Sequence, residues 1–546
     1  MSKYHNIKTW TGIIAATLLI AIFASCTKDF QKINATWNAA AVATLPQLYQ
    51  SIGANLDNTA EGEDATSTRW LYPITQQGAV IAKSDYTYGQ GANWSGFYQN
   101  LAAINQMFSM IAAQPDSANY TNIKAMLKVL RAYQAIELSN FYGDIPYSKA
   151  SLGFSGKTAD LTVPYDKQQA VYLSCLKDLT WAVDHFSADA SQHSLGSSEF
   201  LFANDINQWK KFANSLRLRY ALTMYDKDSA DAGPIIADAL SKPSLLLSDP
   251  VLDVAGLGQT NIPNISFDLG GGGRGWSFRQ ECRVRMGTTM WNLMSNSNKP
   301  DGTDIFDPRC LIYFEENGSS QWVPYPQNPV SAITDGGDPY NTDRDADWTK
   351  DKAGNLYSDF NYYWGRDGNI AGSTGAVPEI FMSAAEVHFL TAEAYAKGAG
   401  VPANMSTAQS EYNAGIAASI IFWTTAASKS SVWVMNKPTP ATSNDVRITA
   451  VQTNPKVLFN PANATQLIYA QEWIDLFRQP WVAWTLMRRT GGATPQDTDN
   501  PTGYAQKYGA LQRYQYPGDE QQYNHSNWVA ATGGNDVTST KIWIAK

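Results

Sequence analysis

The sequence predicts a mainly α-helical fold of stacked helical hairpins, interrupted by one large loop-rich insertion. Apolar residues recur at i, i+3, i+4 and i+7 in several segments of helical length, which is the spacing of one helix face. Start and stop signals flank some of these segments. Residues 251–378 differ from the rest, because these 128 residues hold 17 of the 39 glycines in the chain. These observations place a loop-rich portion between two helical ones.

The first strong helical segment spans residues 119–141. Ile123, Met126, Leu127 and Leu130 form one apolar row along it. A second apolar row lies on another face of the same segment. Because both faces are apolar, we expect this helix to be buried between other helices.

The segment 209–225 has a clearer division into two faces. Trp209, Phe212 and Leu216 share the apolar face, which predicts packing on one side. The opposite face is interpreted as solvated, as charged helix faces usually are. Its charged residues are Lys210, Lys211 and Arg217.

A third helix, 383–397, carries its own boundary signals. Ser383 and Glu386 match a capping box, and Gly398 is the expected stop. Glu386 and Glu393 are therefore interpreted as a cap and an exposed face. Further helices are predicted at 94–113, 165–186, 408–423, 465–478 and 480–489.

The beginning of the chain has the pattern of an export signal. Two lysines precede an apolar run of 13 residues, 12–24, which is shorter than the roughly 20 residues that span a bilayer. The run ends in Ala24-Ser25-Cys26, and small residues before a cysteine resemble a bacterial lipobox. We expect residues 1–25 to be a signal peptide and Cys26 to carry lipid. An ordinary signal peptide beside a chance cysteine is the alternative.

The remaining 26–546 are predicted to form a single domain. The helical scaffold covers about 36–250 and 379–546, and the loop-rich portion covers about 251–378. Long irregular segments on a rigid scaffold often carry function. The alternative is a surface loop region that packs only on itself.

Composition excludes some classes of function. The chain has 41 basic and 49 acidic residues, a net charge of −8, and no extended basic run. A nucleic-acid-binding protein would show a basic stripe, so this class is excluded. The 18 Trp and 28 Tyr exceed the 20 Phe, and such rings can fill a core or form wet binding surfaces.

The cysteines do not predict a metal site. Cys175, Cys282 and Cys310 contain no CxxC pair, which argues against zinc. A disulfide between Cys282 and Cys310 is possible in an oxidising envelope, and buried free thiols are the alternative.

Motifs for catalysis and cofactors are weak, so the protein is not expected to be an enzyme. The glycines of 270–275 satisfy GxGxxG by position, but no strand and helix surround them. Glu472 and Asp475 could pair as the two carboxylates of a glycosidase. The preferred interpretation is an exposed helix face on which Arg478 forms an ion pair with Asp475. No cofactor is expected, although a loose calcium site stays open at Asp343, Asp345 and Asp347, which lack the glycine and glutamate of an EF-hand loop.

Several stretches, in this order along the chain, resemble the SusD/RagB family of outer-membrane nutrient-binding lipoproteins, and specifically its SusD-like branch. The similarity extends over essentially the whole chain after Cys26. The stretches are LRAY at 130–133, FYGDIP at 141–146, WKKFANSLRLR at 209–219, DPR at 307–309, MSAAEV at 382–387, AEA at 392–394, WI at 473–474, RRTG at 488–491, RYQYP at 513–517 with Glu520 and Asn524, and KIW at 541–543.

The resemblance implies a fold of tetratricopeptide-like helical hairpins with a loop-rich ligand-binding portion. It also implies a lipid-anchored protein of the cell outer membrane that faces the exterior and delivers nutrient oligomers to a SusC-like TonB-dependent transporter barrel. Relatives of this kind bind glycans most often and peptides in some cases, and they do not cleave them. A peptide-binding uptake lipoprotein and a surface glycoside hydrolase are the alternatives.

Two aromatic clusters are the candidate ligand contacts. Sugars present apolar faces on which Trp and Tyr stack, and hydroxyls that amide and guanidinium groups can satisfy. Asn93 and Trp94 follow two glycines at a helix entry, and Trp276 follows a glycine run beside Arg274. For each Trp, a place in the core is the competing interpretation. The further candidates are Trp291, Trp322 and Trp364.

Overall fold

The structure is a computed structural model of the chain. The residues that it describes are 43–56, 62, 64–80, 88–89, 93–152, 162–257, 284–330, 356–361, 379–429, 433 and 436–546.

Helices dominate the N-terminal half of the described chain, as predicted. The α-helices are α1 (Leu45–Ala54), α2 (Tyr72–Thr75), α3 (Trp94–Ala112), α4 (Thr121–Tyr142), α5 (Gln168–His185), α6 (Ile206–Tyr225) and α7 (Ser229–Leu240). A π-helical segment covers Asp64–Leu71, and short 3₁₀ turns lie at Ser117–Tyr120, Gly196–Ser198 and Pro243–Leu245.

The second half begins with two short helices of the loop-rich portion and continues into long ones. These are α8 (Thr288–Met294), α9 (Cys310–Tyr313), α10 (Ala384–Lys397), α11 (Met405–Ser428), α12 (Val446–Thr453), α13 (Ala464–Asp475), α14 (Pro480–Arg489), α15 (Pro501–Tyr508), α16 (Gly518–Tyr523) and α17 (His525–Thr532). Two 3₁₀ turns, Pro461–Asn463 and Leu476–Arg478, flank α13.

The described strands are short and pair antiparallel. They are β1 (Ala79–Val80), β2 (Ile145–Pro146), β3 (Tyr165–Asp166), β4 (Ala255–Leu257), β5 (Val284–Arg285), β6 (Phe314–Glu315), β7 (Asp359–Phe360) and β8 (Glu379–Met382). A four-stranded sheet has the order β1-β5-β7-β6, while β2 pairs with β3 and β4 pairs with β8. The four-stranded sheet joins the loop-rich portion to the segment before α3.

Neighbouring helices pack as hairpins, which confirms the predicted architecture. The most extensive pairs are α10 with α11, α4 with α5, α6 with α7, and α5 with α6. Helix α10 also packs on α6 and α13, so it links the two helical halves. Burial of apolar side chains at these contacts, at about 25 cal/mol per Å² of surface removed from water, is the main stabilising term.

Local signals predicted both ends of α10. Ser383 caps α10 by accepting a hydrogen bond from the Glu386 amide at 3.1 Å, and Gly398 ends the helix with φ of 69°. Helix α6 begins three residues before its predicted start, because Asp205 caps it through the amides of Asn207 and Gln208. Such caps are worth about 0.5–2 kcal/mol, and they depend only on nearby sequence.

The predicted solvated face of α6 is wrong in part. Arg217 is 2% exposed and donates hydrogen bonds to Thr180, Asn214 and Asp238. Lys211 reaches Asp253, whose carboxylate is buried. The reason is that α6 packs against α5, α7 and α10, so that it is covered on more than one side.

Within the described part of the chain, no helix is long and apolar enough to cross a membrane.

Candidate ligand-binding site

A cleft opens between the start of α3, the C-terminal half of α4 and the start of α14. Its cavity volume is about 80 Å³, and the void is about 640 Å³ when the solvent at its open mouth is included. The smaller figure compares with about 10–15 Å³ for a single buried water, so the cleft can accept a larger group. Five aromatic rings line it, namely Phe97, Tyr133, Phe141, Phe381 and Trp481, together with the polar side chains Thr66, Asn93, Gln134 and Glu137.

Among the predicted site residues that the structure describes, Asn93 lines this cleft. It precedes α3, and its amide donates a hydrogen bond to the Asn55 carbonyl at 2.8 Å. Gly96 makes room for the Asn93 side chain, because a Cβ at that position would lie 1.9 Å from Asn93 Oδ1. This fixed amide stands at the entry to α3, as the sequence predicted.

The structure places Trp94 in the core and not on an open surface. Its side chain is 9% exposed. Its ring contacts those of Tyr98, Tyr142 and Tyr516, with centroid distances of 5.1, 4.8 and 5.9 Å. The ring turns inward because Tyr516, from the far end of the chain, completes the aromatic cluster. A ligand could not stack on Trp94 without displacing these rings.

Trp291 and Trp322 are also core residues in this structure. They are 1% and 6% exposed, and their rings stack on each other with planes 4° apart and centroids 5.8 Å apart. Trp322 is held by its own amide, which donates to the Pro300 carbonyl at 2.7 Å. Because their faces are used within the protein, burial argues against a ligand platform at either ring.

The other predicted sites lie outside the described residues, and they stay predictions. They are the lipidation site Cys26, the ligand contacts Arg274, Trp276 and Trp364, the calcium candidates Asp343, Asp345 and Asp347, and Cys282 of the possible disulfide. Cys175 and Cys310 are described, and both are buried free thiols.

Among the described residues that line the cleft, Glu137 carries the carboxyl group, and the sequence analysis did not single it out. Its Oε1 accepts a hydrogen bond from the Tyr220 hydroxyl at 3.1 Å and lies 4.0 Å from Arg219 Nη1. Burial raises the pKa of the Glu137 carboxyl to about 7, although the Arg219 charge opposes this shift. The signal was present in the sequence, since Glu137 is the single acidic residue in a helix with two apolar faces.

A network of buried charges lies beneath the cleft, around a second, smaller cavity. Arg219 donates to both oxygens of Glu386 at 2.5 Å, and Arg489 donates to both oxygens of Glu393 at 2.8 Å. Both glutamates have no exposed surface, so their interpretation as a cap and an exposed face is wrong for the side chains. Side chains of Glu137, Arg219, Glu386, Glu472 and Arg489 line the smaller cavity.

Glu472 and Asp475 are buried as well, which corrects their interpretation as an exposed face. Asp475 accepts hydrogen bonds from Ser383, Ser419 and the Trp423 indole, at 2.9, 2.6 and 3.2 Å. These bonds tie α13 to α10 and α11. Burial raises the pKa of Glu472 to about 8, and its Oε2 lies 3.9 Å from Arg489.

Comparison with protein families identifies the class of protein. The SusD-like family model, described as "Starch-binding associating with outer membrane", matches residues 34–517. The chain therefore belongs to the SusD-like family, as the sequence motifs indicated.

Solved structures share the fold. A chitin-binding protein is similar with a TM-score of 0.67 at 21% identity, over 92% of this chain and 100% of that chain. A SusD homologue from Bacteroides uniformis has a TM-score of 0.62 at 20% identity, over 92% and 99%. A chitin-binding SusD homologue from Flavobacterium johnsoniae has a TM-score of 0.61 at 18% identity, over 91% and 98%. No protein with a curated description matches the chain.

Proposed function

We propose that this protein captures neutral oligosaccharides at the outer face of the outer membrane and delivers them, uncleaved, to a SusC-like TonB-dependent transporter. The observation that carries the proposal is the cleft, which combines five aromatic rings with amide and carboxyl groups. Membership of a family described as starch-binding and associated with the outer membrane supports it. Two of the similar solved structures are described as chitin-binding proteins, and these descriptions also support the proposal.

The chemistry of the cleft suits one sugar residue of a longer chain. Phe141, the one half-buried ring of the five, offers apolar contact to the C–H groups of a pyranose, and the other four rings are 2–9% exposed and form the apolar wall of the cleft. Asn93, Gln134 and Glu137 offer donors and acceptors for its hydroxyls. Pockets that bind small ligands have this composition, mostly apolar with a few placed polar groups.

The test is a binding panel with the detergent-purified protein. The panel contains maltohexaose, an N-acetylglucosamine hexamer and unrelated hexapeptides, measured by titration calorimetry. We expect at least one glycan to bind, and chromatography after overnight incubation to recover it at full length. Binding of peptides alone would contradict glycan capture. Fragments that disappear with Glu472→Gln would identify a hydrolase instead.

Membrane attachment is expected to depend on Cys26. Several acyl chains on this residue would anchor the protein, because one chain gives only marginal membrane binding. Replacing Cys26 with alanine should move the protein from the membrane pellet to the soluble envelope fraction, as measured by fractionation and fatty-acid labelling. Cys175→Ala, which removes a buried thiol, is the control and should stay in the pellet. A Cys26→Ala protein that still sediments and labels would contradict lipidation at this residue.

Trp276 is expected to contribute a second contact from the loop-rich portion. Trp276→Ala should weaken binding of the best glycan by on the order of 1–3 kcal/mol, by analogy with base–aromatic stacking. The melting temperature of the Trp276→Ala protein should change little, whereas truncation of a core Trp costs about 3–5 kcal/mol of stability. Trp291→Ala is the matched core control, because its ring is buried. A large fall in melting temperature with unchanged affinity would assign Trp276 to the core.

A further inference from the structure

Glu137 stands at the boundary between the ligand cleft and the buried charge network. It lines both the cleft and the smaller cavity beneath it. Tyr220 satisfies Oε1, and no described residue donates a hydrogen bond to Oε2. The side chain keeps 13% of its surface exposed, more than the 4% of its neighbour Arg219. Solvent reaches Oε2, so water or a ligand hydroxyl can donate a hydrogen bond to it.

We propose that Glu137 is the specificity-determining acceptor of the cleft, and that its free carboxylate oxygen takes a hydrogen bond from a hydroxyl of the captured glycan. This inference rests on the proposed function, and it adds the contact that selects hydroxyl-bearing ligands. Tyr133 and Phe141 flank Glu137 at i−4 and i+4 on α4 and line the same cleft, so a sugar that reaches the carboxylate also meets apolar ring atoms.

The charges around Glu137 favour a neutral ligand over a cationic one. Arg219 and Arg488 both act on the Glu137 carboxyl as positive charges. These two charges would repel a cation brought next to Glu137, and the cation would also lose its hydration. A hydroxyl adds a donor without a charge. The titratable and charged groups that face Glu137 are Tyr172 on α5, Arg219 and Tyr220 on α6, Glu386 on α10, Glu472 on α13, and Arg488 and Arg489 on α14.

Glycan capture should therefore depend on pH in a defined direction. A ligand hydroxyl donates to the ionised carboxylate, and the pKa of Glu137 is about 7 in the empty cleft. The carboxylate is mostly protonated at pH 6 and mostly ionised at pH 8. Because apparent affinity scales with the competent fraction, binding should strengthen roughly tenfold from pH 6 to pH 8.

Glu137→Gln separates this role from a merely structural one. With the tightest-binding glycan of the panel as probe, we expect affinity at pH 8 to fall roughly tenfold, because a charge-assisted hydrogen bond is replaced by a neutral one. Affinity should then be flat between pH 6 and pH 8. Glu472→Gln is the matched control, since Glu472 is also a buried carboxyl with a raised pKa and lines the smaller cavity. The Glu472→Gln protein should bind the glycan with the affinity of the parent, and this affinity should depend on pH as it does in the parent.

A second measurement uses the unmodified protein, so that it holds even if Glu137→Gln fails to fold. Calorimetry at pH 7 in buffers of different ionisation enthalpy should show release of about half a proton on glycan binding, because the ligand favours the ionised carboxylate. Proton uptake, or affinity that falls as pH rises, would overturn the inference. Unchanged binding by folded Glu137→Gln would also overturn it and leave glycan capture intact. Failure of every glycan to bind would instead contradict the proposed function, and this inference with it.

Discussion

Replacing Glu386 with alanine should lower the free energy of unfolding by about 3–5 kcal/mol, because it leaves the buried Arg219 charge without its bidentate partner. Arg219 is 4% exposed, and its remaining close contacts are the Phe381 carbonyl at 2.7 Å and Glu137 at 4.0 Å. The lost partner comes from α10 and the guanidinium from α6, so the change falls on the contact between the two helical halves. Denaturant unfolding at pH 7 measures the effect.

Lys167→Met is the matched control for the loss of an ion pair. Lys167 contacts Asp144 at 2.8 Å, but its side chain is 76% exposed. Exposed pairs contribute about 0–1 kcal/mol, so this variant should unfold almost as the parent does. A double variant with methionine at both Arg219 and Glu386 should recover most of the stability lost with Glu386→Ala. A loss below about 1 kcal/mol for Glu386→Ala would contradict the role given to this pair.

We expect the free energy of unfolding to fall between pH 5 and pH 8, and we expect Glu472→Gln to make that fall much smaller. Burial raises the pKa of Glu472 from 4.5 to about 8 in the folded protein. The folded state therefore holds its proton more tightly than the unfolded state, and stability falls as pH rises through this window. One pKa unit corresponds to about 1.4 kcal/mol, which gives a contribution of about 3 kcal/mol between the two pH values. Glutamine stays neutral, so the free energy of unfolding of Glu472→Gln should fall by about 3 kcal/mol less than that of the parent between pH 5 and pH 8.

Asp445→Asn provides the control for this pH dependence. Asp445 caps α12, and the Arg447 side chain lowers the pKa of its carboxyl to about 2. It is ionised at both pH 5 and pH 8, so Asp445→Asn should shift stability equally at the two pH values. Equal losses for the parent and Glu472→Gln across the same window would contradict a protonated Glu472 in the folded protein.

The helices were predictable from the sequence because their signals are local. The apolar rows of α4 and the cap and stop of α10 act within a few residues of each other. The family motifs lie mostly in this scaffold, which explains why the fold could be recognised. The position of Asn93 at the entry to α3 could be predicted for the same reason, since the sequence marks that helix start.

The environment of individual side chains could not be predicted, because it depends on distant parts of the chain. Glu386 reads as a helix cap, yet its carboxylate pairs with Arg219, which is 167 residues away. The Trp94 ring is covered by Tyr516 from near the C-terminus. The periodicity of apolar residues predicts which face of a helix is buried, but it does not predict how many other helices pack against that helix. The same limit applies to the hydrogen-bond partner of Glu137, because Tyr220 lies 83 residues further on.

A crystal structure of the detergent-purified protein at pH 8, with the tightest-binding glycan hexamer of the panel, tests the central claim most directly. The claim is that the cleft captures a glycan intact. We predict an unbroken hexamer with one residue among the rings of Tyr133, Phe141 and Trp481, and a hydroxyl within hydrogen-bond distance of Glu137. A hexamer bound entirely elsewhere with the cleft empty, or cleaved fragments in place of the hexamer, would contradict it.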